Sequence, residues 1–189
     1  MVGPFLACAP SSSKLTSHAH DAASVAIIVV GMNQDLESEG FDRKHIDLPG
    51  ATNELIERVL AVNQRTIVVN NSGMPVAMPW IDQAPTVLQA FFGGNEAGSG
   101  LADVLFGRRD PSGKLSVSFP CVVPPRSQSI GAWADQAASH NQPSRQLSDS
   151  PSYPIFPGES GKSPYNEGIY VGYRHPAFRT VFPFGHGLT

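Results

Sequence analysis

Two apolar, β-branched runs on either side of a segment with helical periodicity constrain the fold more than any other feature of the sequence. The first run, "AASVAIIVVG", covers residues 22–31, and the second, "RTIVVN", covers residues 65–70. Continuous apolar runs of this length are typical of strands covered on both faces, as in a parallel sheet. The intervening segment, "LPGATNELIERVLAVNQ", repeats apolar residues at the spacing of one helix face: Leu55, Ile56, Val59, Leu60 and Val62.

The same alternation continues towards residue 120. "PTVLQAFF", residues 85–92, has the composition of a third strand, and "GGNEAGSG", residues 93–100, that of a tight glycine loop. "LADVLFG", residues 101–107, is predicted to be a short helix. Strands alternating with helices predict βαβ units, so the fold class is α/β, with a mainly parallel sheet flanked by helices in a three-layer sandwich.

This fold class predicts which residues form the sheet and the core. We expect the sheet to include residues 24–30, 66–70 and 86–91. The side chains expected to be buried are Ile28, Val30, Val68, Leu88 and Leu105.

The domain organisation is predicted from changes in pattern along the chain. Residues 1–21 read as an irregular N-terminal segment, and residues 22–188 as one domain. Residues 121–147 have no sustained period and are rich in Ser, Gln, Pro and Ala, so a disordered insertion is expected there. Cys8 and Cys121 indicate neither a disulfide framework nor a metal site.

Composition excludes several classes of partner. The net charge is −3 and no run of Lys or Arg is present, so nucleic acid is not an expected partner. No apolar run reaches the length of a transmembrane helix, so no membrane partner is expected. The sequence also predicts no cofactor.

The stretch that follows the first strand carries an unusual density of acidic residues. Residues 35–44, "DLESEGFDRK", contain four carboxylates: Asp35, Glu37, Glu39 and Asp42. Parallel sheets place active groups in loops at the carboxyl ends of strands, and glycoside hydrolysis needs two carboxyl groups. Glu37 and Glu39 are two apart, so in extended backbone they would point the same way, and Arg43 is close enough to hold one of them ionised. The alternative is a solvated loop with an Arg–Asp surface pair.

The glycine loop lies in the corresponding position after the third strand, so both loops are expected to face one crevice. A strand, a glycine loop and a helix in succession are superficially similar to a phosphate-binding turn. However, Gly98 and Gly100 have no third Gly at the required spacing, no Lys follows, and Glu96 would repel a phosphate. Glycines that permit close packing of the loop on the helix are the alternative interpretation.

Two further residues have both a functional and a structural interpretation. Trp80, in "MPW", could stack on the face of a sugar or belong to the core. His186, between two glycines, is more often a packed residue than a metal ligand, because no second ligand is suitably spaced.

Several segments together resemble one family. They are "ESEGFDR", "LPGATNELI", "TIVVNNSGMPVAMPW", "FFGGNEAG", "LADVLFGRRDPSGKLSVSFP" and "NEGIYVGYRHP…FPFGHGL". Over residues 22–120 and 148–188 the chain is similar to the C-terminal α/β-sandwich domain of glycoside hydrolase family 3, in its fungal β-glucosidase branch.

The resemblance implies the activity of a retaining β-glucosidase that hydrolyses terminal β-linked glucosyl residues. It places the general acid/base on Glu39, with Glu37 as second choice, and implies supporting roles for Asp42, Arg43 and Glu96. The nucleophilic aspartate of the family lies on a barrel domain that no segment here resembles. The implied partners are therefore a small β-glucoside or oligosaccharide and that barrel, and the chain alone, as a fragment, is expected to be inactive. A non-catalytic domain that at most binds sugar is the alternative, and the choice between glucosyl and xylosyl substrates stays open.

Overall fold

The computed structural model describes residues 24–41, 43, 45–120, 160–176, 178 and 180–188. The strands among these residues are β1 (Ala26–Gly31), β2 (Thr66–Asn71), β3 (Thr86–Gln89), β4 (Phe119–Pro120) and β5 (Thr180–Phe182). The α-helices are α1 (Thr52–Val62) and α2 (Ala97–Leu105), and short 3-10 turns occur at Ile81–Gln83, Gly94–Glu96 and Gly172–Arg174. The expected N-terminal segment and insertion, both cysteines and Asp42 lie outside the described residues.

The first three strands form a parallel sheet in the order β1-β2-β3. The register aligns Ile28 with Val68, and Val68 with Val87. Strands β4 and β5 form a separate antiparallel pair. The predicted α/β class, a mainly parallel sheet with helices packed against it, is confirmed.

The core lies between α1 and one face of this sheet. The aligned side chains of Ile28 and Val68 point to that face and are buried. Helix α1 contributes Ile56, Val59 and Leu60 to the same cluster, as its apolar periodicity predicts. The loops add the buried side chains of Leu48, Val76, Met78 and Trp80, and strand β4 adds Phe119.

The opposite face of the sheet is less covered than predicted. Ile28, Val30 and Val68 are buried as expected, but Val29 is 45% exposed, so β1 is not covered on both faces. Leu88 is only half-buried: it aligns with Val69, which is fully buried on the central strand, but it lies on β3, an edge strand of the three-stranded sheet. Leu105 is also half-buried, since no residue of α2 is fully buried. The expected burial of Leu88 and Leu105 is therefore wrong.

The boundaries around the glycine loop also differ from the prediction. Strand β3 ends at Gln89, and Phe91 takes a positive φ of 52°, which turns the chain out of the sheet. Helix α2 begins at Ala97 rather than at 101, because Gly98 and Gly100 continue the helix. The predicted loop is therefore mostly helical.

Candidate functional site

Residues 35–43 are called the acidic loop. The chain leaves the sheet towards this loop at a point where β1 and β2 approach closely. A Cβ at Gly31 would collide with the carbonyl oxygen of Asn71, so this position requires glycine. The Met32 N–H donates to the Asn71 oxygen at 3.2 Å, which extends the pairing by one residue. The start of the acidic loop is thus fixed against the end of β2.

A turn then replaces the extended backbone that the sequence suggested. The N–H groups of Leu36 and Glu37 donate to the carbonyl oxygen of Asn33 at 3.1 and 2.9 Å. The expectation that Glu37 and Glu39 point the same way is wrong, because it assumed a strand. Glu37 is half-buried, whereas Glu39 is exposed.

Glu37 ties the acidic loop to the loop that follows β2. Its Oε2 accepts a hydrogen bond from the Gly73 N–H at 3.1 Å, and its Oε1 accepts one from the Met74 N–H at 3.0 Å. Both carboxylate oxygens are therefore engaged by backbone donors of one neighbouring loop.

Arg43 makes a second attachment to the same loop. Its Nη2 donates to the Pro75 carbonyl oxygen at 3.2 Å, and its Nη1 is buried with no hydrogen-bond partner among the described residues. Burial lowers the pKa of the Arg43 guanidinium, and the nearby Glu37 charge opposes that shift. Arg43 is half-buried rather than solvated. Asp42, which the suggested Arg–Asp pair would need, lies outside the described residues.

Glu39 lies between these two attachments. The Gly40 N–H donates to Ser38 Oγ at 3.2 Å, which closes a local turn around it. No described residue forms a hydrogen bond or ion pair with the Glu39 side chain. An exposed carboxyl group on an attached loop can exchange a proton with a molecule that arrives from outside the chain.

A buried polar network supports the loop after β2, and the sequence analysis missed it. Asn70 Nδ2 donates to Ser72 Oγ at 2.9 Å and to Gln89 Oε1 at 2.6 Å. Ser72 Oγ donates to the Met74 carbonyl oxygen at 2.8 Å, and Gln89 Nε2 donates to the Ser72 carbonyl oxygen at 2.9 Å. The available signal was an amide residue, Asn70, at the end of an otherwise apolar run.

The residue that precedes the glycine loop, Phe92, contacts the loop after β2 through its ring. The Phe92 ring lies over Gly73, where an added Cβ would be 2.6 Å from Phe92 Cε2. The close-packing interpretation holds for Gly93, whose Cβ would meet Ala97 at 2.8 Å, but not for Gly98 or Gly100, which face open space. The acidic and glycine loops thus flank the loop after β2 at one edge of the sheet.

The remaining candidate residues take structural or peripheral positions. Glu96 is exposed and directly precedes α2, and its side chain forms no capping hydrogen bond. Trp80 is fully buried and its Nε1 donates to Asn53 Oδ1 at 2.9 Å, so the core interpretation is confirmed. His186 packs against Phe182 with ring centroids 4.9 Å apart.

Two classes of site find no support in the part of the chain that the structure describes. It contains no group of three His, Cys, Asp or Glu side chains arranged to hold a metal ion. None of its helices is both long and apolar enough to cross a membrane.

Comparison with known proteins identifies the relatives of this domain. The family model described as "Glycosyl hydrolase family 3 C-terminal domain" matches residues 10–173. A protein of Aspergillus fumigatus named "Probable beta-glucosidase J" is 45% identical over 170 residues, which cover 88% of this chain and 17% of the relative. A protein of Aspergillus terreus named "Probable beta-glucosidase I" is 43% identical over 185 residues, or 95% of this chain and 19% of the relative.

Solved structures give the same result. A β-glucosidase from Kluyveromyces marxianus is similar with a TM-score of 0.74 and 37% identity, over 94% of this chain and 18% of that one. Its complex with glucose is similar with a TM-score of 0.72, 36% identity and the same coverage.

The match therefore covers most of this chain but only a small part of each relative. The chain spans 17% to 19% of the length of the two Aspergillus proteins. The family model, the sequence relatives and the solved structures agree on the same region. On this evidence the chain belongs to glycosyl hydrolase family 3 and carries the C-terminal domain of that family.

Proposed function

We propose that this chain supplies the general acid/base of a retaining β-glucosidase, with Glu39 in that role and the nucleophilic aspartate on a barrel domain outside this chain. The observation that carries the proposal is the state of Glu39. It is exposed at the tip of a loop that Glu37 and Arg43 attach to the loop after β2. This loop lies at the carboxyl edge of a parallel sheet, where active groups are usually placed.

The environments of the two glutamates favour Glu39 over Glu37. A general acid must carry a proton and reach the substrate. Both oxygens of Glu37 already accept hydrogen bonds from backbone N–H groups, so a proton on either oxygen would face a donor. Glu39 has no such internal partner and is open to solvent.

In the proposed reaction Glu39 acts twice. It first donates its proton to the glycosidic oxygen while the barrel aspartate attacks the anomeric carbon, which breaks the glycosidic bond and releases the aglycone alcohol. The resulting Glu39 carboxylate then takes a proton from the water that attacks the glycosyl-enzyme ester. This second step releases glucose and restores both carboxyl groups. Arg43 supports the loop through its hydrogen bond to the Pro75 carbonyl oxygen. We assign secondary supporting roles to Asp42 and Glu96.

The domain requires a partner because the two catalytic groups work from opposite faces of the sugar. Retention needs them about 5–5.5 Å apart, with the substrate between them. Glu37 cannot serve as the second group, because it lies in the same loop as Glu39 and both of its oxygens accept hydrogen bonds from the Gly73 and Met74 amides. The chain alone should therefore not turn over β-glucosides, and its substrate should be a glucoside bound between this domain and the barrel. The glucose complex of the Kluyveromyces marxianus relative supports a glucosyl substrate.

The proposal is tested by supplying the partner domain. The barrel of a family relative is joined upstream of the 189-residue chain, and hydrolysis of cellobiose is measured for the joined protein, the barrel alone and the chain alone. We expect activity only in the joined protein. A folded joined protein without activity would favour the non-catalytic alternative, and turnover by the chain alone would contradict the two-domain mechanism.

A further inference from the structure

We infer that Glu37 is a positioning residue, whose carboxylate, anchored on the amides of Gly73 and Met74, works with Arg43 to hold the loop that carries Glu39. This inference rests on the proposed function only for the role of Glu39. The attachment itself is a property of this chain. The resemblance had left Glu37 as a second candidate for the acid, whereas the contacts give it a different task.

The two attachments bracket the tip of the loop. Glu37 bonds to residues 36 and 37 positions away in sequence, and Arg43 to a residue 32 positions away. All three bonds end on the consecutive residues Gly73, Met74 and Pro75. The short segment that contains Glu39 therefore starts and finishes at the same neighbouring loop, so its backbone has little freedom to move the carboxyl group away from the sheet edge.

The neighbouring loop is a suitable anchor because it is itself fixed. Ser72 is fully buried and its hydroxyl donates to the Met74 carbonyl oxygen. Asn70 and Gln89 bind Ser72 from two adjacent strands.

Further along, the Ala77 N–H donates to the Ile46 carbonyl oxygen at 2.8 Å, so the chain after Arg43 continues beside this loop. The positions of Gly73 and Met74 are thus set by the sheet.

The attachment uses both oxygens of the Glu37 side chain as hydrogen-bond acceptors. An ionised carboxylate only accepts hydrogen bonds, and Glu37 accepts one on each oxygen. Glu37 is also the charge that acts on the half-buried Arg43. Removing the Glu37 carboxylate therefore weakens the bonds to Gly73 and Met74, while removing an acidic charge elsewhere in the loop leaves those two bonds in place. Asp35, which is exposed and accepts a hydrogen bond from Asn33 Nδ2 at 3.4 Å, provides the matched comparison.

The first experiment uses the 189-residue chain and measures amide hydrogen exchange at Gly73 and Met74 by NMR. Glu37→Ala should accelerate exchange at both amides by at least about tenfold, because they lose a charge-assisted hydrogen bond and the loop loses its attachment. Glu37→Gln, which keeps one acceptor oxygen, should give a smaller increase at one or both amides. This second variant decides the question if Glu37→Ala does not fold.

Asp35→Asn is the control, since it makes the same carboxylate-to-amide change in the same loop. It should leave exchange at Gly73 and Met74 within about twofold of the parent chain. Unchanged exchange in the Glu37 variants, or an equal increase in Asp35→Asn, would overturn the inference.

The second experiment uses the chain joined to a family barrel and separates positioning from acid catalysis by the pH profile. The basic limb of kcat/KM reports the essential acid of the free enzyme. Glu37→Gln should lower kcat on cellobiose by roughly ten- to hundredfold through misplacement of the acid, yet keep a basic limb. Loss of the basic limb in Glu37→Gln, with its retention in Glu39→Gln, would identify Glu37 as the acid and overturn the inference.

The two experiments distinguish failure of the inference from failure of the proposed function. An inactive joined protein would contradict the proposed function. The exchange rates of the Gly73 and Met74 amides in the 189-residue chain would still show whether Glu37 holds the loop. An active joined protein, together with unchanged amide exchange in both Glu37 variants, would support the proposed function and contradict the positioning role of Glu37.

Discussion

The acidic loop, residues 35–43, and the glycine loop, residues 93–100, occupy equivalent positions but are held in different ways. Each follows a parallel strand at the same edge of the sheet, and each contacts the loop after β2. The acidic loop is attached by three hydrogen bonds between charged side chains and the backbone: Glu37 accepts two and Arg43 donates one. The glycine loop is exposed along its whole length and is attached through the ring of Phe92, which directly precedes it.

The difference shows that topology and side-chain bonding contribute separately to a site. The parallel order β1-β2-β3 brings both loops to one edge, whatever their sequences. The hydrogen bonds of Glu37 and Arg43 then fix only the acidic loop. Glu39 and Glu96 are both exposed glutamates at this edge, but only Glu39 lies between two attachments.

The largest expected difference between the loops is in catalysis by the barrel-joined protein. Glu39→Gln should lower kcat/KM on cellobiose by roughly 10²–10⁴-fold, the usual contribution of a general acid. Glu96→Gln should lower it by less than about tenfold, because a residue outside the reacting centre contributes only through local charge. Initial rates on cellobiose measure both variants.

The leaving group provides the control for this catalytic prediction. An activated aryl glucoside departs without a proton, so Glu39→Gln should lose much less activity on that substrate than on cellobiose. The basic limb of its pH profile should also disappear. If Glu96→Gln lost the basic limb and Glu39→Gln kept it, the general acid would lie on the glycine loop.

The next largest difference is in stability and concerns two glycines: Gly31, which approaches the backbone of Asn71, and Gly73, which approaches the ring of Phe92. Gly31→Ala should destabilise the chain by about 2–3 kcal/mol, because the new Cβ collides with the backbone of Asn71. Gly73→Ala should cost less than about 1 kcal/mol, because the opposing atom belongs to the exposed ring of Phe92, which can move aside. Urea unfolding at equilibrium measures both values. Equal losses would show that the ring contact is as rigid as the backbone contact.

The sequence predicted the elements whose formation depends on burial. The β-branched runs located β1 and β2 to within a few residues. Of the five residues that the periodicity placed on the apolar face of α1, Ile56, Val59 and Leu60 are buried, whereas Leu55 is half-buried and Val62 is exposed. These features are readable because a strand or helix in a parallel sheet must present apolar side chains in a fixed pattern. The sequence was less accurate for α2, since glycine has low helix propensity and Gly98 and Gly100 argued for a loop.

The candidate site was predictable in location but not in its internal contacts. The position of the loop after β1 indicated the acidic stretch as a whole, and only the family resemblance preferred Glu39 to Glu37; that assignment stays a prediction. The contacts of Glu37 were not readable from the sequence, because they depend on the turn around Asn33 and on amides 36 and 37 residues away. The burial of Leu88 was overestimated for a related reason, since an apolar run does not reveal whether its strand lies at an edge of the sheet.

A smaller effect is expected from the network that supports the acidic loop. Ser72→Ala should destabilise the chain by about 1–2 kcal/mol, because the buried Asn70 amide and the Met74 carbonyl oxygen both lose the Ser72 hydroxyl as a partner. Ser38→Ala makes the same change on the exposed tip, where only a local bond to Gly40 is lost, and should cost less than about 0.5 kcal/mol. Equilibrium unfolding of both variants measures the difference. Equal values would argue against the network as the support of this loop.

The smallest effect is expected on the glycine loop, from Glu96→Ala. Glu96 precedes α2 without a capping hydrogen bond, so its charge stabilises the chain only through the helix dipole, by about 0.3–0.5 kcal/mol at an exposed site. Such a contribution is screened by salt, and unfolding in 1 M NaCl should reduce the effect of Glu96→Ala towards zero. The loss caused by Glu37→Ala should persist in the same salt, because the Glu37 carboxylate accepts direct hydrogen bonds from the Gly73 and Met74 amides. A salt-insensitive loss in Glu96→Ala would mean that the glycine loop is held by direct contacts as well, and the contrast between the two loops would no longer support the proposed choice of Glu39 over Glu96.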